Sequence, residues 1–474
     1  MSETLVTADP QASVEPRAGG RSLAAVLAAV GIPMFMVTLD NLVVTNALPV
    51  IRTELGASLA DLQWFVNAYT LAFASLLLTA TSIGDRLGRR RIFLAGIAIF
   101  TAASAACALA TEPWMLIAAR SIQGFGAAAV MPLSLTLLSS AVPEKMRSAA
   151  IGIWGGISGL GVALGPLIGG AVVEGLSWQW IFWVNVPIGV LVLPFAAWAL
   201  AESHGRAKRL DPLGLVLSAG GVLAVVWGVI HGADDGWTST GVLTALIGGA
   251  VLLALLIAWE LRTPDPMLPL RLFRSRAFRV SNTTVFTFSV GVFGSIFLLA
   301  QYFQVVQGLG PLQSGIRTMP WTMAPMVVAP LAGLIVDRVG ARNLLTAGQT
   351  LLAAALAWMA AVTAVDASYL AFVGPFLLGG IGMGLTFAPG ATVVMASAAP
   401  EDRAMASGTN STIREVGVAM GVAVLASVFA SHGSYVDPQS FVDGLVPAVW
   451  VGAAIVAVGA LVSRLLPRRI TAAD

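Results

Sequence analysis

Residues 85–96 read DRLGRRRIFLAG, and residues 337–348 read DRVGARNLLTAG. Each stretch sets an Asp-Arg pair and a Gly between two long apolar runs, 60–83 and 92–111 in the first case, 318–337 and 343–364 in the second. A helix needs about 20 mostly apolar residues to cross the hydrocarbon of a bilayer. Both stretches therefore read as charged turns between membrane-spanning helices, met twice at an offset of 252 residues.

The repetition extends outward from these turns. GVALG at 161–165 returns as GVAMG at 417–421, offset 256. Gly124-x-Gly126 returns as Gly380-x-Gly382, also offset 256, and Pro143-Glu144 as Pro400-Glu401, offset 257. Matches in one order near one offset predict two repeated halves. Fourteen apolar runs fit that plan: 23–49, 60–83, 92–111, 114–138, 148–173, 179–200, 211–231, 240–260, 278–303, 318–337, 343–364, 369–395, 405–430 and 445–466. Backbone in lipid must satisfy its own hydrogen bonds, so these runs are helices.

The predicted fold is an all-α integral membrane protein with fourteen transmembrane helices. A six-helix bundle over 22–200 is related to a second over 278–466 by an axis along the membrane normal. Residues 201–277 supply two additional helices and a linker. Residues 1–21 read as a disordered cytosolic tail, without the basic start of a signal peptide, and 467–474 as a second tail.

Composition agrees. Of 474 residues 57% are hydrophobic and 11% charged, against about 25% charged in soluble domains. So few charges cannot coat a water-soluble surface of this size, which leaves lipid as the solvent. The one cysteine, Cys107, excludes an intrachain disulfide. His204, His231 and His432 lie far apart, without metal-ligand spacing. No phosphate-binding GxxxxGK[ST] loop occurs, so ATP does not drive this chain directly.

Charge in the loops sets direction. With the N-terminus cytosolic, 22 of the 26 Lys and Arg fall on the cytosolic side. Arg52 and Arg317 fall on the other, and Arg120 and Arg414 within spans. The outer loops carry Glu112, Glu174, Asp234, Asp235, Asp366, Asp437 and Asp443 instead. Both termini are predicted to be cytosolic, in a multi-pass inner or plasma membrane protein.

Four motifs then resemble the major facilitator superfamily, and within it the fourteen-span drug:proton antiporters of the EmrB/QacA type. Gly84-Asp85-Arg86-Leu87-Gly88-Arg89-Arg90-Arg91 is similar to the superfamily's loop between spans two and three. Arg120-x-x-Gln123-Gly124-x-Gly126-Ala127 is similar to its span-four motif. Gly161-x-x-x-Gly165-Pro166-x-x-Gly169-Gly170 resembles the span-five motif of exporters. Leu39-Asp40-Asn41 through Pro49 resembles the fourteen-span signature of span one, with Leu42 and Thr45 departing from its pattern.

The residues themselves admit two readings each. A carboxylate inside span one, Asp40, costs about 2.5–3.5 kcal/mol on insertion scales. It can load and release a proton or hold a cation, or it can be a packing residue satisfied by Asn41 or Thr45. Arg120, seven residues into span four, is placed in the inner half; it either pairs structurally or, as the resemblance implies, relays a proton. Glu415 in span thirteen either lines the cavity while Arg414 pairs elsewhere, or sits with it near a helix start. The arginines Arg86, Arg89 and Arg90 either set topology alone or, with Gly84, Asp85 and Gly88, form a gate in which Asp85 pairs across the seam between halves. Asp337 and Arg338 are the second-half counterpart. Gly161, Gly165 and Gly169 form a small-residue stripe for close packing, and Pro166 removes one ladder bond. Trp64, Trp114, Trp178, Trp180, Trp183, Trp237, Trp321 and Trp450 read as an interfacial belt. Phe286, Phe288, Phe293, Phe297, Phe303, Met319, Met323 and Met326 read either as a pocket for varied cargo or as lipid-facing residues.

The resemblance implies a proton-coupled antiporter exporting small lipophilic compounds by alternating access. Uptake of a metabolite is the alternative, and a receptor or enzyme a remote one. The expected partners are small-molecule cargo, protons and lipid, with no nucleic acid and no cofactor, for a monomer.

Overall fold

The computed structural model describes residues 22–57, 59–205, 211–263, 266, 268 and 270–467. The predicted tail 1–21, most of the tail after 467 and part of the linker lie outside the described residues.

The first bundle comprises α1 (Leu23–Leu55), α2 (Leu59–Leu87), α3 (Arg89–Ala108), α4 (Pro113–Ala141), α5 (Glu144–Gly175), and a last crossing made of α6 (Trp180–Trp183) and α7 (Asn185–Ala199). The inserted pair is α8 (Pro212–Asp234) and α9 (Thr240–Glu260). The second bundle comprises α10 (Arg276–Val305), α11 (Pro311–Val339), α12 (Ala341–Val362), α13 (Tyr369–Ala396), α14 (Arg403–His432) and α15 (Pro438–Ser463). Thirteen of these crossings are long and apolar enough to span a bilayer, and α5, 32 residues long, adds a fourteenth. Helix α1 runs six residues beyond its predicted end and carries Arg52 in its last turn.

The repeat is visible as one set of contacts made twice. Gly88 and Gly340, 252 residues apart, start α3 and α12 with φ of 114° and 88°, a region glycine enters without a Cβ clash. A Cβ on Gly124 would lie 2.4 Å from the Tyr69 carbonyl, and one on Gly380 the same distance from the Trp321 carbonyl. Gly126 similarly abuts Gly96 and Phe100, as Gly382 abuts Gly348 and Leu352. Small residues thus let α4 approach α2 and α3, and α13 approach α11 and α12. An apolar core fills each half, the first reaching across to Ala391, Met395 and Ala404 of the second.

The halves meet along α5–α11 and along α2–α14. Gly161 and Gly169 do pack closely, but on α1: their Cβ positions lie 2.9 Å from Thr38 and 3.0 Å from the Val43 carbonyl. Gly165 is buried between them; the side chain of Pro166 lies outside the described residues, within an unbroken α5. A second glycine face, Gly152 and Gly156, meets α11 at the seam, with Cβ positions 2.8 and 3.2 Å from the Ala329 and Met326 carbonyls.

The predicted aromatic belt divides. Trp114, Trp180 and Trp450 are exposed, whereas Trp178 and Trp321 are buried in the cores. Likewise Phe288 and Phe303 are buried, and Phe297 and Met326 face outward.

Candidate functional site

Asp40 on α1 and Arg120 on α4 are 2% and 0% exposed. Arg120 Nη1 lies 2.5 Å from Asp40 Oδ2. Gln123, one turn along α4 from Arg120 and on its face, donates from Nε2 to Asp40 Oδ1 at 2.9 Å. Asn185 at the start of α7 donates from Nδ2 to the same oxygen at 2.9 Å and to Ser104 Oγ at 3.0 Å. Arg120 also donates from Nε to the Phe65 carbonyl and from Nη1 to Gln123 Oε1, at 3.1 and 2.7 Å. Its guanidinium lies 4.2 Å from the centre of the Tyr69 ring. Cys107 Sγ reaches the same cluster, 3.7 Å from Gln123 Oε1.

This geometry corrects one expectation. Arg120 is level with Asp40, toward the end of the bundle opposite the Gly84–Arg91 turn, and not in the inner half. Span four runs antiparallel to span one, so an early position in one lies beside a late position in the other. Among the described residues the donors to Asp40 come from α4 and α7 and not from its neighbour Asn41; the side chain of Thr45 lies outside them. Asn185 was missed by the sequence reading, although a polar residue within an apolar crossing was a visible signal.

A desolvated ion pair is repaid only by good geometry and further hydrogen bonds. Asp40 has these, but Arg120 Nη2 and the Tyr69 hydroxyl have no hydrogen-bond partner among the described residues. The cluster is therefore only partly satisfied. A proton on Asp40 would remove the charge that faces Arg120.

Glu415 and Arg414 on α14 pair with each other, at 2.9 Å between Arg414 Nη2 and Glu415 Oε1. Of the two readings, the one in which Arg414 pairs elsewhere while Glu415 lines a cavity is reversed, and the one that sets both near a helix start meets a pair more than ten residues into α14. Arg414 lines a cavity of about 20 Å³ with Trp154, Phe288, Phe387 and Asn410, contacts Met131 Sδ on α4, and lies 5.7 Å from the Phe387 ring centre. That volume holds a water and no organic cargo.

At the turn between α2 and α3, Asp85 is 5% and Arg89 3% exposed. They pair within one lip, Arg89 Nε to Asp85 Oδ1 at 2.6 Å. The expected reach across the seam is made by Arg89 instead, whose Nη2 donates to the Glu401 carbonyl at 3.0 Å. Gly84 packs against Leu133 of α4, and Arg90 Nη1 donates to the Leu200 carbonyl at 3.2 Å. Arg86 and Arg338 are exposed. In the second half Asp337 itself crosses the seam, accepting from Ser148 Oγ at 3.2 Å. Ser407 Oγ donates to the Pro132 carbonyl at 3.1 Å, so the motif end is closed.

A family model described as Major Facilitator Superfamily matches residues 30–422 and 284–473. Multidrug resistance protein Stp of Mycobacterium tuberculosis is 39% identical over 85% of this chain and 75% of its own length. The tetracenomycin C resistance and export protein of Streptomyces glaucescens is 33% identical over 89% and 79%. The crystal structure of the human organic anion transporter MFSD10 (TETRAN) superposes with a TM-score of 0.65 at 16% identity, covering 95% of this chain and 100% of that one, a likeness of fold. The chain belongs to the major facilitator superfamily. It is a multi-pass membrane transporter and not an enzyme.

Proposed function

We propose that this transporter is a proton-coupled antiporter of the plasma membrane that exports small lipophilic compounds, antibiotics among them. Asp40 is the proton carrier and Arg120 the cation that resets it; the Gly84–Arg91 turn is the cytosolic gate. The observation that carries this reading is the buried Asp40–Arg120 pair, held by Gln123 and Asn185 yet leaving Arg120 Nη2 without a partner among the described residues. Resistance and export in the names of two relatives support the cargo class. A charge moved across 100 mV supplies about 2.3 kcal/mol, enough to concentrate cargo nearly fiftyfold at equilibrium.

The test uses inverted membrane vesicles, a fluorescent lipophilic cation and an imposed pH gradient. Asp40→Asn fixes the group neutral at similar size, and pH-driven accumulation is expected to fall at least tenfold, with Asp40→Glu retaining part of it. Accumulation by Asp40→Asn at the wild-type rate would make Asp40 structural and Glu415 the preferred carrier.

A further inference from the structure

The inserted helices lie over the seam that any opening of the motif end must part. Helix α8 packs on α2 of one half and α14 of the other. Val222, Val226 and Val229 of α8 share one apolar cluster with Leu71 and Ala74 of α2 and Ala419 and Ala423 of α14. Beyond α8, Trp237 Nε1 donates to Ser427 Oγ of α14 at 2.7 Å.

The chain entering and leaving this pair is fastened to both lips of the gate. On the way in, Glu202 accepts the backbone N–H groups of Arg90 and Arg91 at 2.9 and 3.2 Å, capping the otherwise unsatisfied start of α3. Beside it, Arg89 N–H donates to the Ser203 carbonyl, and Gly205 N–H to the Asp85 carbonyl, at 2.9 and 2.8 Å. On the way out, a 3-10 turn at Leu270–Arg274 presents Arg271 to Asp402, which precedes α14. Nη2 lies 2.7 Å from Oδ1, and Nε 3.1 Å from Oδ2. Such two-point contact fixes direction as well as distance. Asp402 follows Glu401, whose carbonyl receives Arg89 from the other lip. Between these fastenings Leu268 is wedged with Leu78 of α2 and Met405 of α14.

We infer that α8 and α9 with their flanking segments are a strap across the two lips of the motif-end gate. Glu202 and the Arg271–Asp402 pair are the positioning residues that fasten it. Parting the lips by rotation of the halves must either break the Arg271–Asp402 contact or pull the linker from its seat between α2 and α14. The strap thereby favours the closed arrangement, adding to the direct contact of Arg89 with the Glu401 carbonyl. It also gives the inserted pair a task distinct from cargo binding. The inference rests on alternating access but needs neither cargo nor proton gradient in its test.

The test is a distance measurement on the full chain in nanodiscs, in a Cys107→Ala background. Spin labels go on the exposed lip positions Leu87 and Ala396, each changed to Cys. The parent is expected to show a dominant short distance. Arg271→Gln is expected to raise the long-distance fraction at least threefold. Asp402→Asn, which keeps a residue suited to a helix start, is expected to match it, and the double variant to exceed neither. Arg271→Lys, which keeps charge but loses the fork, is expected to fall between. An unchanged distribution in both single variants, or effects that add in the double, would overturn the strap. So would a lowered melting temperature with no change in distance, which would reduce the pair to simple structural support.

Discussion

The two halves make the same helix contacts with opposite chemistry. Gly124 seats α4 on Tyr69, and Gly380 seats α13 on Trp321. Around Tyr69 the first half gathers Arg120, Gln123 and Asp40. Around Trp321, the position equivalent to Arg120 is Phe376, its ring 6.4 Å away and edge-on, and that equivalent to Gln123 is Gly379. A Cβ on Gly379 would strike the Trp321 ring. Gly161 meets the Phe35 carbonyl and Thr38, as Gly417 meets the Phe286 carbonyl and Ser289; that register sets Asp40 against Gly291, which abuts the Gly452 backbone. The second half has thus filled with aromatic rings and close backbone the place where the first half holds charge. At this level one half holds a buried ion pair and the other holds rings and backbone.

Exchanging chemistry between the halves tests that division. The largest effect is expected from Arg120→Gln. Removing one partner of a buried pair costs about 3–5 kcal/mol, so the melting temperature should fall and pH-driven transport should be lost. Retained coupling would mean that Asp40 needs no cation beside it. Phe376→Leu, at the matching position, should cost about 1–1.5 kcal/mol and leave the dependence of transport on the pH gradient unchanged when scaled to folded protein. A shifted pH dependence there would show that the second half also titrates. Asp85→Asn weakens a charge-assisted contact by about 1 kcal/mol, roughly fivefold in gate closure. Transport should drop by about that factor with normal insertion, measured as initial rate per molecule in the membrane. At the seam joining the halves the effect should change sign with room. Gly152→Ala meets the Ala329 carbonyl at 2.8 Å and should lower thermal stability. Gly155→Ala finds only ordinary contacts at 3.7 Å or more and should be neutral or gain up to about 1 kcal/mol of helix propensity. Equal behaviour of the two would argue against a tight seam.

The architecture was legible because lipid imposes length and composition on every crossing, and because the repeat was written in short matching words such as the two DR-x-G turns. What lies between distant segments was not. Asp40 and Arg120 are 80 positions apart, and their partnership depends on antiparallel spans being level, a relation that motif spacing does not encode. Asp85 and Arg89 each carried a gate signal, yet which of them crosses the seam is decided by side-chain reach. Gly152 and Gly156 had the same four-residue spacing as the stripe that was read, but spacing does not say which neighbour a face meets. Trp178 lies at a span end and is nonetheless a core residue, because position along a span does not fix the side it faces; α11 begins seven residues before the predicted span, which sets Trp321 well inside it.

Cys107 is the chain's single thiol, fully buried and touching Gln123. The molecule therefore comes with a nearly silent background for chemical probes: any cysteine added at a surface speaks alone. The native sulfur is at the same time a built-in sentinel, since a reagent that reached it would have passed through the packing that keeps the Asp40 cluster out of water.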